Sequence, residues 1–487
     1  MRRARALPRA ALGVGVATLV TGCMVGPNYV RPPVITPDAY KENAEWKIAQ
    51  PRDDVLRGAW WELFGDAQLN ALEEQVSISN QSLLASEATY RQARALVGAA
   101  RAALFPTATI GVGYSRAQAS QTLGNQSSVA QTISRAPVSN FQLPLDVAWT
   151  PDFWGSVRRQ VESGRASAQA SAGDVETARL SFQAELAQGY FQLRTLDAQK
   201  QLLEDTVAAF ATALTLTRNR YASGVASRVD VVQAETQLKT TQAQLIDVGV
   251  ARAQTEHAIA LLVGQPASTF SIAPAALATT PPPIPTGLPS ALLERRPDIA
   301  AAERRMAAAN AQIGVAIAAY YPTVTLSLSA GFQSGSVTQW FTWPSRFFSV
   351  GPSVTETVYD GGLRRAQTLE ARAAYDASVA TYRQAVLTAF QGVEDNLAAL
   401  RILEDESRVQ AEAVAAARES VELTTNQYKA GTVSYLNVIT VQTIALNDQI
   451  AAVQIMGRRM AAAVLLIQAL GGGWNASELP SAQAVTP

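Results

Sequence analysis

Hydrophobic and polar positions repeat with two different periods along this chain, and the switch points divide it into elements. In 107–115, Ala108, Ile110, Val112 and Tyr114 share one face while Thr107, Thr109, Gly111, Gly113 and Ser115 share the other. That period of two predicts a strand. It returns in 141–149, where Phe141, Leu143, Leu145, Val147 and Trp149 oppose Gln142, Pro144 and Asp146. A polar Ser/Gln/Asn/Gly loop, 116–139, joins the two strands. Helical spacing governs the flanks. Leu69, Leu72, Val76, Leu83 and Leu84 predict one helix from the N-cap Asp66 to Leu104, stopped by Pro106. After Gly155 a helical pattern scarcely breaks until Tyr221, with Gly164, Gly173 and Gly189 as its weak points. Ser223 and Gly224 end it, and Ser227 is the candidate N-cap of a further helix reaching about Val263.

The second half replays this order. A helix over 297–319 precedes a strand over 323–333, in which Val324, Leu326, Leu328, Ala330 and Phe332 oppose Thr323, Thr325, Ser327, Ser329 and Gly331. A loop carrying Trp340, Phe341 and Trp343 leads to a strand over 347–359, then helices over 363–428 and 434–470, with Gly471, Gly472 and Gly473 closing the fold. Individual phrases recur too. Tyr221-Ala222-Ser223-Gly224-Val225-Ala226-Ser227 returns as Tyr428-Lys429-Ala430-Gly431-Thr432-Val433-Ser434, and Leu104-Phe105-Pro106-Thr107 as Tyr320-Tyr321-Pro322-Thr323. The copies lie roughly 205 to 215 residues apart, far beyond the spacing of solenoid repeats. The reading is a duplicated half-domain: a first repeat over 61–264, a Pro-rich linker over 265–290, a second repeat over 291–471 and a tail over 472–487.

The proportions are informative. Each half has one helix of roughly 65 residues, about 100 Å long, and two shorter ones whose lengths together approach it. Short helices stacked end to end beside a continuous one make a tall slab, which suits a hollow cylinder better than a globule of ordinary helices. A plain coiled-coil rod does not insert paired strands. Strands of about 10 residues, apolar on one face and Ser/Thr/Gly on the other, match transmembrane β-strands facing lipid and lumen. Four of them cannot close a barrel, since single-chain membrane barrels begin at about eight strands, and open edges are not tolerated in lipid. The chain is therefore expected to oligomerise. A soluble antiparallel sheet would alternate as well, but it leaves the polar lumen-type face without a purpose. Glu356 falls on the apolar face of the fourth strand with Phe348, Val350, Val354 and Val358, and is expected near the periplasmic interface, where a carboxylate is tolerated.

The N-terminus adds an address. Arg2, Arg3, Arg5 and Arg9 precede a short apolar run, 10–20, so 1–22 reads as a signal peptide. It ends in Leu19-Val20-Thr21-Gly22-Cys23, which resembles a bacterial lipobox with Val20 in place of the usual leucine. Cys23, the only cysteine, is the expected lipidation site of a tether over 23–60, Pro-rich in 27–51. Several acyl chains on one cysteine anchor firmly at about 0.8 kcal/mol per buried CH2. Met24 follows it rather than the aspartate that resembles an inner-membrane retention signal, so outer-membrane lipid is the expected surroundings. One cysteine excludes a disulfide framework, and the single histidine, His257, reads as an ordinary helix residue. No metal site, cofactor or catalytic residue is expected, and the zero net charge leaves no footprint for nucleic acid. No unbroken apolar run of 18 residues follows the signal, so no transmembrane helix is expected.

Leu292-Leu293-Glu294-Arg295-Arg296-Pro297-Asp298-Ile299, with Ala301-Ala302-Glu303 and Ala308-Ala309-Asn310-Ala311-Gln312-Ile313-Gly314 beyond it, resembles the signature of TolC-like outer-membrane efflux proteins, closest to their NodT-type lipoprotein branch. Cys23-Met24-Val25-Gly26-Pro27-Asn28-Tyr29, Trp60-Trp61, Tyr359-Asp360-Gly361-Gly362-Leu363-Arg364 and Ala389-Phe390-Gln391-Gly392-Val393-Glu394-Asp395 extend the resemblance over nearly the whole mature chain. It implies a mainly α fold with membrane β-strands. In that fold a homotrimer closes a β-barrel on an α-barrel, served by a periplasmic adaptor and an inner-membrane pump. It also implies that the repeated phrases form the periplasmic end, where the duct tapers shut. Family members commonly ring that aperture with acidic residues just after the second turn. Here the matching positions are Asn437 and Thr440, whereas Asp230 and Arg228 stand in the first copy and Tyr435 faces Arg228 in the alignment of the copies. Asp230 and Asn437 read equally well as polar residues of a first helical turn. Gly224, Val225, Gly431, Thr432 and Val433 are the tips an adaptor would grip. The expected function is a passive exit duct for drugs or other small toxic compounds. A type I protein secretion duct and a non-conducting envelope spacer are the alternatives.

Overall fold

A computed structural model describes residues 24–34, 36–43, 58–118, 137–277, 280–284 and 291–486. The signal peptide, Cys23, much of the loop before Pro137 and parts of the tether and linker lie outside the described residues. A 3-10 turn, Trp60–Phe64, leads into α1 (Ala67–Ser79) and α2 (Gln81–Ala102). Then follow β1 (Thr107–Ile110), β2 (Gly113–Ala117), β3 (Val138–Trp149), α3 (Ser156–Ala222) and α4 (Arg228–Leu262). The second half comprises α5 (Leu292–Arg295), α6 (Pro297–Ala318), β4 (Thr323–Ser334), β5 (Arg346–Thr355), α7 (Leu363–Lys429) and α8 (Tyr435–Ala469).

The duplication holds to the residue in helix length. α3 and α7 each span 67 residues, α4 and α8 each 35, and α2 and α6 each 22. An aspartate sits behind the start of each long helix. Asp152 accepts from the Arg158 backbone N–H (2.8 Å), and Asp360 from those of Gly362 (2.9 Å) and Arg364 (3.2 Å), satisfying donors that a helix N-terminus leaves open. The glycines suspected as weak points do not interrupt α3. At Gly173 a β-carbon would sit 3.0 Å from the Pro297 carbonyl oxygen, so the missing side chain is what lets α6 lie against α3.

Two predicted elements are divided. The helix expected over 66–104 breaks at Asn80, whose extended backbone ends α1 and starts α2. The Asn80 carbonyl group of the side chain accepts from Leu83 N (2.9 Å), its amide donates to Leu262 O (2.8 Å), and Ser79 Oγ donates to Val263 O (2.7 Å). The bend thus also covers carbonyls at the end of α4. The first strand divides into β1 and β2 because its partner position is Pro144, which has no N–H to give. The register is nonetheless continuous, from Ile110 opposite Leu145 to Gly113 opposite Gln142, and Gly111 N still donates to Pro144 O (3.0 Å). The sheet is antiparallel in the order β1/β2–β3–β4–β5, four strands in effect. The fourth is shorter than the expected 347–359: it ends at Thr355, where the chain turns and Glu356 meets Arg364 of α7 (3.2 Å). Glu356 therefore lies at the helix-side end of the sheet.

The principal core lies partway along the tall helices. Tyr190, Phe191, Ile259, Ile299, Met306, Tyr382, Val393 and Ile467 are buried there beneath Trp60 and Leu69. α8 alone among the described residues is long and apolar enough to cross a membrane (mean hydropathy 1.6), although polar residues interrupt it and hide it from a search for unbroken apolar runs. It packs against α7 and α3, with 44% of that apolar stretch buried.

Three segments expected to be loose are docked. Arg159, 1% exposed, donates to Val25 O, Gly26 O and Asn28 Oδ1 (each 3.1 Å), Asn310 donates to Pro27 O (3.0 Å), and Tyr29 donates to Glu303 (2.7 Å). Farther along, Arg31 donates to Tyr382 Oη (2.9 Å), and Glu394 accepts from the backbone of Lys41 (2.8 Å). The first part of the linker is held by a buried ion network: Asp197 bridges Arg194 (2.8 Å) and Arg252 (2.7 Å), and those two arginines reach Ala273 O and Ile272 O. Burying such charges is tolerable only because each finds a partner. The tail does not leave the fold at Gly473. Gln169 holds Pro480 O (2.9 Å), and Val485 is fully buried.

Glu73 on α1 is the exception. Its carboxyl is completely buried with no hydrogen-bond partner among the described residues, and burial pushes its pKa from an ordinary 4.5 up to about 9. The folded state therefore holds a proton that the unfolded chain releases above pH 4.5. Stability is full below that pH and declines as pH rises toward 9, by about 3 kcal/mol per chain at pH 7. Glu73→Gln is expected to raise the thermal unfolding midpoint at pH 8 and to leave it unchanged at pH 4, measured by circular dichroism.

Candidate functional site at the helix tips

The repeated phrases form two adjacent turns at the end of the molecule farthest from the sheet. Each long helix finishes in the same hydrogen-bond pattern. Gly224 N donates to Tyr221 O (2.9 Å) and Val225 N to Arg220 O (2.8 Å), while Gly431 N donates to Tyr428 O and Thr432 N to Gln427 O (both 3.0 Å). The glycines take φ of +77° and +79°, a left-handed conformation that side-chain-bearing residues enter only with strain. Gly224 and Gly431 are thus required as helix terminators.

The turns diverge at the start of the next helix. Ser227 Oγ accepts from Asp230 N (3.2 Å), and the Asp230 carboxylate accepts from Ser227 N (3.0 Å), a closed capping box. Ser434 makes no side-chain cap, and Asn437 contributes only its backbone N–H, to Ser434 O (3.2 Å). The Asp230 carboxylate is thereby engaged locally. Arg228, exposed beside it, forms no ion pair with Asp230 or any other carboxylate among the described residues.

Beneath the turns, all four helices meet in a small core. Phe210 and Leu214 of α3, Ala234 and Leu238 of α4, Tyr428 of α7 and Tyr435 and Val438 of α8 are buried together. The Tyr428 and Tyr435 rings lie 5.2 Å apart. Tyr435 is only 4% exposed, and burial pushes its hydroxyl up to about 12. Within the chain it is a core residue. Arg228, Asn437 and Thr440 are exposed, as aperture residues would be. Of the expected tip residues, Gly224, Val225, Gly431 and Thr432 are exposed, whereas Val433 packs against the small core.

Arg220 went unnoticed in the sequence. Its guanidinium lies 4.6 Å above the Tyr428 ring and reaches Lys429 O (3.5 Å), joining the end of α3 to the end of α7. Gln237 adds a link from α4 to Thr443 of α8 (3.2 Å). The available signal was a mismatch: Arg220, just before the first phrase, stands where the second has Gln427.

The other expected site is at the opposite end of the helices. Cys23 itself lies outside the described residues, but Val25 N donates to Trp154 O (3.1 Å), which seats the neighbouring chain where β3 passes into α3.

The capping difference is measurable. Asp230→Ala should weaken the first turn of α4 by about 1 kcal/mol, accelerating amide exchange there about fivefold. Asn437→Ala should leave exchange at the start of α8 unchanged. Hydrogen-exchange mass spectrometry of tip peptides checks both.

A family model described as outer membrane efflux protein matches residues 72–265 and 288–472. The chain is 31% identical over 436 residues to the pyoverdine export outer membrane protein OpmQ of Pseudomonas aeruginosa, covering 89% of this chain and 91% of that one. Nodulation protein T of Rhizobium leguminosarum bv. trifolii is 28% identical over 469 residues, covering 94% and 96%. Among solved structures, the outer-membrane channel OprN superposes with a TM-score of 0.84 at 30% identity, covering 93% of this chain and 100% of that one.

Proposed function

From the premise that this chain belongs to the outer membrane efflux protein family, we propose that three copies complete one conduit, anchored by lipid on Cys23 and gated at the paired turns. The protein is the outer-membrane exit duct of a tripartite efflux system. Its family is one of channels rather than enzymes. In our reading a periplasmic adaptor grips Gly224, Val225, Gly431 and Thr432, and an inner-membrane pump supplies both substrate and energy.

The open sheet is the observation that carries this reading. Outside the cover of the β4–β5 loop its apolar side is bare, with Phe348 80% and Val350 71% exposed, and both edges, β1/β2 and β5, lack a neighbour among the described residues. Lipid does not accept unpaired edges. Further copies supply the missing strands and leave the Ser/Thr/Gly side facing a lumen. A relative named for pyoverdine export favours a small-molecule cargo over a protein one.

Closure at the tips is assigned to the contacts between the two turns, with Arg220 as the clasp. Arg228, Asn437 and Thr440 line the aperture, and Asp230 serves the fold of its own turn. Removing the clasp frees α3 and α4 to swing from α7 and α8. Arg220→Ala is expected to raise single-channel conductance in planar bilayers several-fold over the wild-type protein. A purified protein that stays silent in both forms would overturn the duct. Separately, Cys23→Ala should abolish incorporation of labelled palmitate in growing cells, while the unchanged protein incorporates it.

A further inference from the structure

The end of the sheet away from the helices has an unusual charge distribution. Between Glu87 and Asp146, and again between Glu303 and Glu356, the sequence contains no aspartate or glutamate. Both distal loops fall within these stretches, so their only charges are Arg116, Arg135 and Arg346. Arg135 lies outside the described residues.

Strand register fixes where the other two point. Tyr114 pairs with Phe141 and Arg116 with Ser139, so Arg116 is on the apolar, lipid-side face, two residues beyond Tyr114. Arg346 pairs with Phe332 on that same face. Neither meets a carboxylate among the described residues. The loop between β4 and β5 folds back over this face rather than across the lumen. Trp340 packs 5.6 Å from Phe141 and 4.8 Å from Phe341, which in turn lies 5.6 Å from Phe332. Tyr114, 4.7 Å from Phe141, completes a chain of five rings across three strands. Trp343 projects beyond them, 76% exposed, with the Arg346 guanidinium over its ring.

A second aromatic group marks the other interface. Trp149 donates to Leu104 O (3.0 Å), and Trp154, stacked 4.7 Å from Tyr321, donates to Pro322 O (2.8 Å). From Trp149 to Phe141 the strand runs about 27 Å, about 21 Å along the membrane normal at a tilt of about 40°, near the height of an outer-membrane apolar band. The distal rings and arginines therefore sit at headgroup level in the outer leaflet.

We propose that Arg116 and Arg346, set in this aromatic collar, bind the phosphomonoester headgroups of lipid A, a lipid-recognition site distinct from the conduit and its gate. Guanidinium forks match phosphate oxygens; Arg346 uses only its Nε, on Trp343 O (3.1 Å), and arginines that meet no carboxylate beside exposed aromatic rings complement a phosphorylated, acylated ligand. The site requires only the outer-membrane placement of the sheet. Its failure would leave the duct intact, because conductance and lipid binding are read separately.

The test titrates full-length protein in detergent with bisphosphorylated lipid A, dephosphorylated lipid A and phosphatidylglycerol, counting retained lipid by native mass spectrometry. Bisphosphorylated lipid A is expected to bind at least about tenfold tighter than the other two. The Arg116→Ser/Arg346→Ser double variant should lose that preference while keeping its conductance, and Trp343→Ala should weaken binding without abolishing it. Equal binding of the dephosphorylated lipid or of phosphatidylglycerol overturns the proposal, as does a double variant that keeps the preference.

Discussion

Every backbone polar group that enters a bilayer must find a partner there, and this chain cannot meet that demand alone. A four-strand sheet has two bare edges, each unpaired group costing several kcal/mol in hydrocarbon. On the proposed function, assembly is therefore a condition of the membrane-inserted fold. The sequence absorbs the constraint economically. Even at Pro144, where one donor is missing from the centre of the sheet, the register of β1 and β2 against β3 continues without a slip. A one-residue shift would exchange the lipid and lumen faces.

The helical part answers a different problem, namely how to hold tall, narrow helices in register with little cross-section for a core. Apolar burial alone is sparse along α7 and along α3 beyond Leu203. Polar contacts between distant segments take over the alignment: Asp197 with Arg252, Asn80 with the end of α4, and Arg220 with the end of α7. These fix the vertical position of one helix against another, which non-directional apolar packing does poorly. Glu73 shows the limit of the strategy, since a buried carboxyl without a partner keeps its proton.

Elements with a period were legible before any coordinates. The alternation of Val324 to Phe332 and the length of α3 and α7 came directly from spacing, and the repeated phrase located both tip turns. What escaped had no local signature. Leucines at helical spacing run straight past Asn80, because the bend there is set by carbonyls of Leu262 and Val263, far away in sequence. Tether, linker and tail looked like spacers on composition, yet their backbone groups are claimed by Arg159, Arg252 and Gln169. At the tip, glycine and serine were readable as helix punctuation, whereas the function of Tyr435 was not. A tyrosine in a first helical turn looks the same whether it faces a pore or three other helices.

The strap from Val25 to Glu42 has a consequence in time as well as in space. It leaves the ribosome early, behind the expected signal peptide, yet its partners Tyr382, Glu394 and Arg401 are made some 350 residues later. Contacts so distant in sequence close late, because the chain between them must already be compact. The strap from Arg31 onward therefore cannot settle until α7 is in place, whereas Val25 to Tyr29 need only α3 and α6. Its docking records, partway along the tall helices, that both repeats have folded.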